Sequence, residues 1–249
     1  MMCPWGEPLA LKLIALMSCP YISGFSYVGV RDEVTRRELL NQLKTEIYSN
    51  CDPTILGADM FRKGKDEIEG IKKKIGLTEE KPVIAIMISD SAISRHLYRM
   101  LRNENMVVCT YEMADATDVM AFAFSPFEWS NLIAAADMVI TDLFHGTIFS
   151  MIHNIPFISI EKEKSQRGKI SNILVEYNLL ENLICKEDYK NSSSLVLEIY
   201  TKCRWILESK EQVDYSSIFD KERIKSKTFY TFLDRIIYGG SEDTSNVML

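Results

Sequence analysis

Two rhythms of apolar and polar positions alternate along the chain. Pro82-Val83-Ile84-Ala85-Ile86-Met87-Ile88-Ser89 is an unbroken apolar run of the length of a strand buried on both faces. Further short apolar runs at 106–111, 120–124, 138–141, 155–160 and 183–185 predict strands, and helical spacing fills the intervals at 91–103, 125–136, 147–153 and 168–177. Helices are also predicted over 193–207 and 221–238, followed by a frayed Gly/Ser-rich tail. This βαβ rhythm predicts an α/β fold, a Rossmann-like doubly wound parallel sheet.

Before residue 82 the pattern is shorter. Residues 25–30 are β-prone, and the helical run after them has Asp32 as its N-cap, so Arg31 sits where a strand gives way to a helix. Pro53 biases Asp52 away from helix and marks a turn. Residues 62–81, rich in Lys, Glu and Gly, read as a solvated helix and loop and as a boundary. The expected organisation is 1–80 as a remnant of an N-terminal Rossmann-like domain, 81–210 as a C-terminal one, and 211–249 as a terminal helix and tail. The apolar stretch 9–17 has Glu7 and no basic residue ahead of it, and Lys12 interrupts it. It reads as a buried helix stopped near Pro20, not as a signal peptide, and it is too short to span a membrane.

Composition narrows the function classes. A chain of 249 residues with 47% hydrophobic and 26% charged positions folds as one large or two small domains. The 29 basic residues against 35 acidic ones are scattered and leave a net charge of −6, which argues against a nucleic-acid partner. Six cysteines form no C-x-x-C pair, and three histidines form no H-E-x-x-H pattern. Reduced thiols, a cytoplasmic location and no metal are expected.

Candidate chemistry concentrates at the loop Asp142-Leu143-Phe144-His145-Gly146, which follows a predicted strand and precedes a helix expected from Thr147. Ligands of open α/β sheets bind outside the carboxyl ends of strands, and a helix N-terminus favours phosphate or carboxylate. Gly146 permits close backbone approach, and His145 can add a charge or donate a proton, although a satisfied structural histidine fits the same pattern. Asp142 fits either an orienting or sugar-binding role or a local turn. Ser125, with Pro126 and Glu128, has the form of a capping box, but its loop lies at the same sheet edge. Arg167 lies between a strand and a helix and reads as cleft-facing or as solvated. His153 and His96 read as structural and surface residues.

The run Ser125-Pro126-Phe127-Glu128, then 135–147 with Asp142 and His145-Gly146, then Asn154-Ile155-Pro156-Phe157, resembles the polysaccharide pyruvyl transferase family. Val30-Arg31-Asp32 and Cys51-Asp52-Pro53-Thr54 resemble that family's upstream signatures, in the same order. The resemblance implies a glycosyltransferase-B-like architecture of two Rossmann-like domains facing across a cleft. It implies transfer of a pyruvyl group from phosphoenolpyruvate to a sugar of a cell-surface polysaccharide precursor, with a saccharide acceptor that can be lipid-linked and no further cofactor. By motif, His145 and Arg31 correspond to the donor-site histidine and arginine, with Asp142 beside them and Gly146, Thr147, Ser125 and Arg167 as donor-binding candidates. Two departures stand out. Leu143 occupies the place where some members carry an arginine, and no glycine-rich first turn precedes residue 25, so the first domain is expected to be incomplete. Three readings follow: an active transferase, an impaired donor-binding or partner module that pairs with a separate N-terminal domain or a second copy, and a nucleotide-sugar glycosyltransferase.

Overall fold

The computed structural model describes residues 22, 24–41, 43, 45–77, 81–109, 115–121, 124–162, 168–209 and 212–238. The chain divides into two compact units, one formed by 1–56 with 219–249 and the other by 57–218. The sequence-based boundaries at 80 and 210 cut elsewhere. Helix Lys65–Lys74 packs on helix Pro126–Ala135 and so belongs with the later sheet, although it has no buried residue of its own.

In the first unit β1 (Val28–Val30), α1 (Glu33–Leu40) and β2 (Ile47–Ser49) form a βαβ unit with parallel pairing, Val28 opposite Ile47 and Val30 opposite Ser49. Asp32 is the N-cap of α1, its carboxylate accepting the Thr35 amide at 2.7 Å. A short helix, α2 (Pro53–Leu56), forms where a turn was expected. Proline is compatible with the first position of a helix, so a single helical turn can start there.

In the second unit two short helices, α3 (Ala58–Phe61) and α4 (Lys65–Lys74), precede the sheet. Its strands are β3 (Val83–Met87), β4 (Met106–Cys109), β5 (Met138–Thr141), β6 (Phe157–Glu161) and β7 (Leu183–Cys185). All pairings are parallel and the strand order is β4-β3-β5-β6-β7. Between them run α5 (Ser91–Leu101), α6 (Pro126–Ala135), α7 (Phe144–Ile152) and α8 (Lys169–Glu176), and α9 (Ser192–Ser209) follows β7.

Every residue of β3 and β5 is buried, as the continuous apolar run required. Alternation divides the side chains between two faces. Ile84, Ile86, Met138, Ile140, Ile158 and Ile160 cluster with Ile93 and Leu97 of α5 and Val196 and Ile199 of α9. On the other face α6 packs on β3, α7 on β5 and β6, and α8 on β6. The sheet is therefore covered on both sides, the doubly wound class expected from the sequence. Each fully buried aliphatic side chain contributes roughly 1.5–3 kcal/mol.

The strand expected at 120–124 does not form at its described positions, Met120, Ala121 and Phe124. The outer edge of β4 is instead met by single groups: the Asp118 carboxylate accepts the Val107 amide at 2.7 Å while the Asp118 amide donates to the Val107 carbonyl at 2.8 Å, and the Thr117 hydroxyl accepts the Cys109 amide at 3.0 Å. The edge of the sheet is thereby closed. The helix expected over 221–238 is two, α10 (Ser216–Lys225) and α11 (Lys227–Tyr238). The break falls at Ser226, whose buried hydroxyl accepts the Cys51 amide at 3.1 Å. The helix expected over 9–17 and the tail beyond residue 238 lie outside the described residues.

Candidate functional site

The order β4-β3-β5-β6-β7 reverses direction between β3 and β5, since the chain leaves β3 toward one edge and returns to β5 on the other side. A crevice opens at such a point above the carboxyl ends of the two strands. Here those ends are joined by Asp142, which follows β5. Its carboxylate accepts the Ser89 amide, at 3.1 Å to Oδ1 and 3.0 Å to Oδ2, and the Ser89 hydroxyl donates to Oδ2. Its own amide donates to the Met87 carbonyl at 3.1 Å.

The loop that follows is shorter than the sequence suggested. Helix α7 starts at Phe144, not Thr147, because the Thr141 hydroxyl accepts the Leu143 amide at 3.0 Å and turns the chain at once. Leu143 is the N-cap, its carbonyl accepting the Thr147 amide at 3.2 Å, and its side chain supplies no cap hydrogen bond. His145 thus stands in the first turn of the helix, exposed, its ring edge-on to that of Phe144 with centroids 5.3 Å apart.

Gly146 and Thr147 face the other way. A Cβ at Gly146 would lie 2.3 Å from Thr141 Oγ1 and 3.0 Å from Thr141 Cβ, so only glycine lets the helix settle this close to β5. Thr147 is fully buried, and its hydroxyl shares a 2.7 Å hydrogen bond with Ser159 on β6. These two positions seat α7 on the sheet, and what they can offer a ligand is backbone.

The other helix starts at this edge are closed by side chains. Asp90 accepts the Ala92 and Ile93 amides at the head of α5, at 3.1 and 3.3 Å. Ser125 is the N-cap of α6 in a complete capping box, its hydroxyl accepting the Glu128 amide and its amide donating to Glu128 Oε2. Those hydrogen bonds to Ser125 hold the Glu128 carboxyl below its ordinary range. Glu161 accepts the Ile170 and Ser171 amides at the head of α8, at 2.8 and 3.1 Å, and Asn191 accepts the Ser194 amide in α9. Each of these supplies locally the negative charge or dipole that a helix N-terminus attracts, whereas the N-cap of α7, Leu143, makes no side-chain cap hydrogen bond.

Sequence reasoning missed the residues that reach this edge from distant segments. Ser89 is the partner of Asp142, and Lys186, just after β7, lies with its Nζ 3.7 Å from Asp90 Oδ2. Their only sequence signal was a position directly after an apolar strand, which does not say which strands become neighbours. Arg167 lies outside the described residues.

Arg31 belongs to the first unit, at the carboxyl end of β1. Its Nη1 donates to Asp52 Oδ2 at 2.9 Å, and Asp52 is buried, also accepting the Thr54 amide at 2.9 Å. The arginine-aspartate and aspartate-proline segments are thus brought together at one sheet edge.

His153, one residue past α7, is half-buried and shares a 3.0 Å hydrogen bond from Nε2 with the Ser130 hydroxyl. Burial, and then the nearby charges of Lys63 and Arg62, push its pKa down to about 4, so it stays neutral. His96 is exposed on α5. The described cysteines, Cys51, Cys109, Cys185 and Cys203, are buried and in no disulfide. Burial raises the thiols of Cys51 to about 11 and of Cys109 and Cys203 to about 12, which makes them poor nucleophiles. Among the described residues no three His, Cys, Asp or Glu side chains gather so as to hold a metal ion.

The family model for polysaccharide pyruvyl transferase matches residues 16–162, a span that takes in Arg31, Asp52, Ser125, Asp142 and His145. The chain belongs to this family. Its broad activity is accordingly that of a polysaccharide-modifying transferase. No curated protein sequence matches it. Among solved structures the Anabaena protein HepE, in complex with UDP-glucose, is similar with a TM-score of 0.55 at 11% identity, covering 96% of this chain and 70% of its own. The wall teichoic acid polymerase TagF is similar with a TM-score of 0.48 at 12% identity, over 94% of this chain and 64% of its own. The likeness to HepE is one of fold alone. Among the described residues no helix is long and apolar enough to cross a membrane.

Proposed function

We propose that this member transfers the pyruvyl group of phosphoenolpyruvate to a sugar of a polysaccharide precursor, with the donor's anionic groups held at the head of α7. The observation that carries the reading is the contrast at one sheet edge. The helices around it have their N-termini closed by Asp90, Ser125, Glu161 or Asn191, while α7, at the reversal of strand order, is headed by Leu143 without a side-chain cap and displays His145 in its first turn. A helix N-terminus at that place favours phosphate or carboxylate.

The chemistry asks for an anion holder and an acid. Two sugar hydroxyls add in turn to C2 of the enol phosphate, C3 takes up a proton to become the ketal methyl, and the bond from C2 to the phosphate oxygen breaks. One hydroxyl proton is balanced by the new C–H bond and the other leaves with inorganic phosphate. His145 is the group proposed to deliver the proton or to stabilise the leaving phosphate. Asp142 holds the two strand ends in place, and Arg31 is proposed as the anion clamp that the family motif implies. A cytoplasmic location and a lipid-linked acceptor belong to the same proposal.

The test is an acceptor screen with phosphoenolpyruvate, following phosphate release together with the ketal methyl signal by NMR. Equal release of phosphate and formation of ketal supports the reading; turnover of a nucleotide sugar with no use of phosphoenolpyruvate contradicts it.

A further inference from the structure

The first unit contains a cleft of about 460 Å³ that the donor chemistry does not use. One wall is aromatic. The rings of Tyr27 and Tyr48 stack nearly parallel, with centroids 4.5 Å apart and planes at 4°, and Phe232 of α11 lies 4.9 Å from Tyr27. Both tyrosines are fixed by their hydroxyls, which donate to Asn50 Oδ1 and to Glu46 Oε2 at 2.8 Å each.

The other wall is a stripe of α11. Lys227, Thr228, Thr231 and Arg235 fall at helical spacing on one side, and Ile224, exposed, closes one end. Lys227 and Arg235 make no ion pair among the described residues. They stand eight residues apart, about 12 Å along a helix axis. Among the described residues the cleft lining thus includes two cations and no carboxylate, Glu46 being the hydrogen-bond acceptor of the Tyr48 hydroxyl.

This combination selects a ligand class. The Tyr48 ring meets the C–H face of a pyranose ring, the Thr231 hydroxyl, which donates to the Lys227 carbonyl at 3.1 Å, accepts from a sugar hydroxyl, and cations at separated points take anionic substituents. The volume is within the range of small-ligand sites, and the spacing of the cations exceeds one sugar ring. A nucleobase does not fit between Tyr27 and Tyr48, because they already stack on one another. We infer that this cleft binds an acidic oligosaccharide, its rings along Tyr48 and its anionic groups at Lys227 and Arg235. The inference does not depend on the donor reading, and its failure would leave that reading untouched.

The experiment uses the full chain and trigalacturonate as probe, with maltotriose, inorganic phosphate and anionic lipid vesicles as controls. Binding is followed by calorimetry and by transferred saturation on the sugar protons. Trigalacturonate is expected to bind in the millimolar to micromolar range and at least about tenfold more tightly than maltotriose. Lys227→Gln with Arg235→Gln, both on the helix surface, is expected to weaken it at least about tenfold with an unchanged circular dichroism spectrum and unchanged binding of phosphoenolpyruvate. Absence of binding overturns the proposal, as does equal binding of maltotriose, equal binding by the double variant, or displacement of the sugar by phosphate alone. Binding of vesicles without trigalacturonate would reassign the surface to a membrane and overturn it too.

Discussion

At the carboxyl ends of β3 and β5 one carboxylate, that of Asp142, takes both the amide and the hydroxyl of Ser89, and so ties the two strand ends together. Asp142→Ala is expected to cost about 1–3 kcal/mol in urea unfolding, the range for a lost charge-assisted hydrogen bond. His145→Ala is expected to leave stability within about 0.5 kcal/mol, since the side chain is exposed, and to lower transfer at least about a hundredfold. A variant that keeps full transfer removes His145 from the chemistry. His153 makes a separate prediction. Its pKa is about 4 folded against 6.5 ordinarily, so between those values the unfolded chain binds more protons than the folded one. Stability is therefore complete above about pH 6.5 and declines by up to roughly 3 kcal/mol as the pH falls toward 4. In His153→Gln that part of the slope should vanish from unfolding curves taken across the window; an unchanged slope would show that other groups carry it.

The helices divide by how far their determinants reach along the chain. Ser125 and Glu128 cap α6 with partners three residues apart, and Asp32 caps α1 the same way, so both starts were legible in the sequence. The buried strands were legible because parallel strands covered on both faces are apolar throughout. The start of α7 was not, because the turn that advances it depends on Thr141 facing back to Leu143 and on Gly146 lying against that same threonine. Nor were the partners Ser89 of Asp142, 53 residues away, and Lys186 of Asp90, which exist only once the strand order is set. The seating of α7 can be tested directly. Gly146→Ala should destabilise the protein by about 1–3 kcal/mol through overpacking against Thr141, and Thr141→Ala in the same chain should return part of the loss. If Gly146→Ala is neutral in chemical unfolding, the close approach is not what fixes glycine there.

Across the whole molecule the family signatures are shared out between the two units. Arg31 and Asp52 meet at the β1 and β2 ends of the first, and the histidine-glycine segment heads α7 over the parallel sheet of the second. The polysaccharide pyruvyl transferase family model spans segments of both, and the likeness to HepE is one of fold alone. The donor is the point on which the account turns. Calorimetric titration of phosphoenolpyruvate into the wild-type chain and into His145→Ala, with nucleotide sugars as controls, addresses it most directly. Saturable binding of phosphoenolpyruvate that is weakened at least about tenfold in the variant, with no binding of nucleotide sugars, is the predicted result. Binding of a nucleotide sugar in place of phosphoenolpyruvate, or equal binding of phosphoenolpyruvate by both chains, would contradict a donor site at the head of α7.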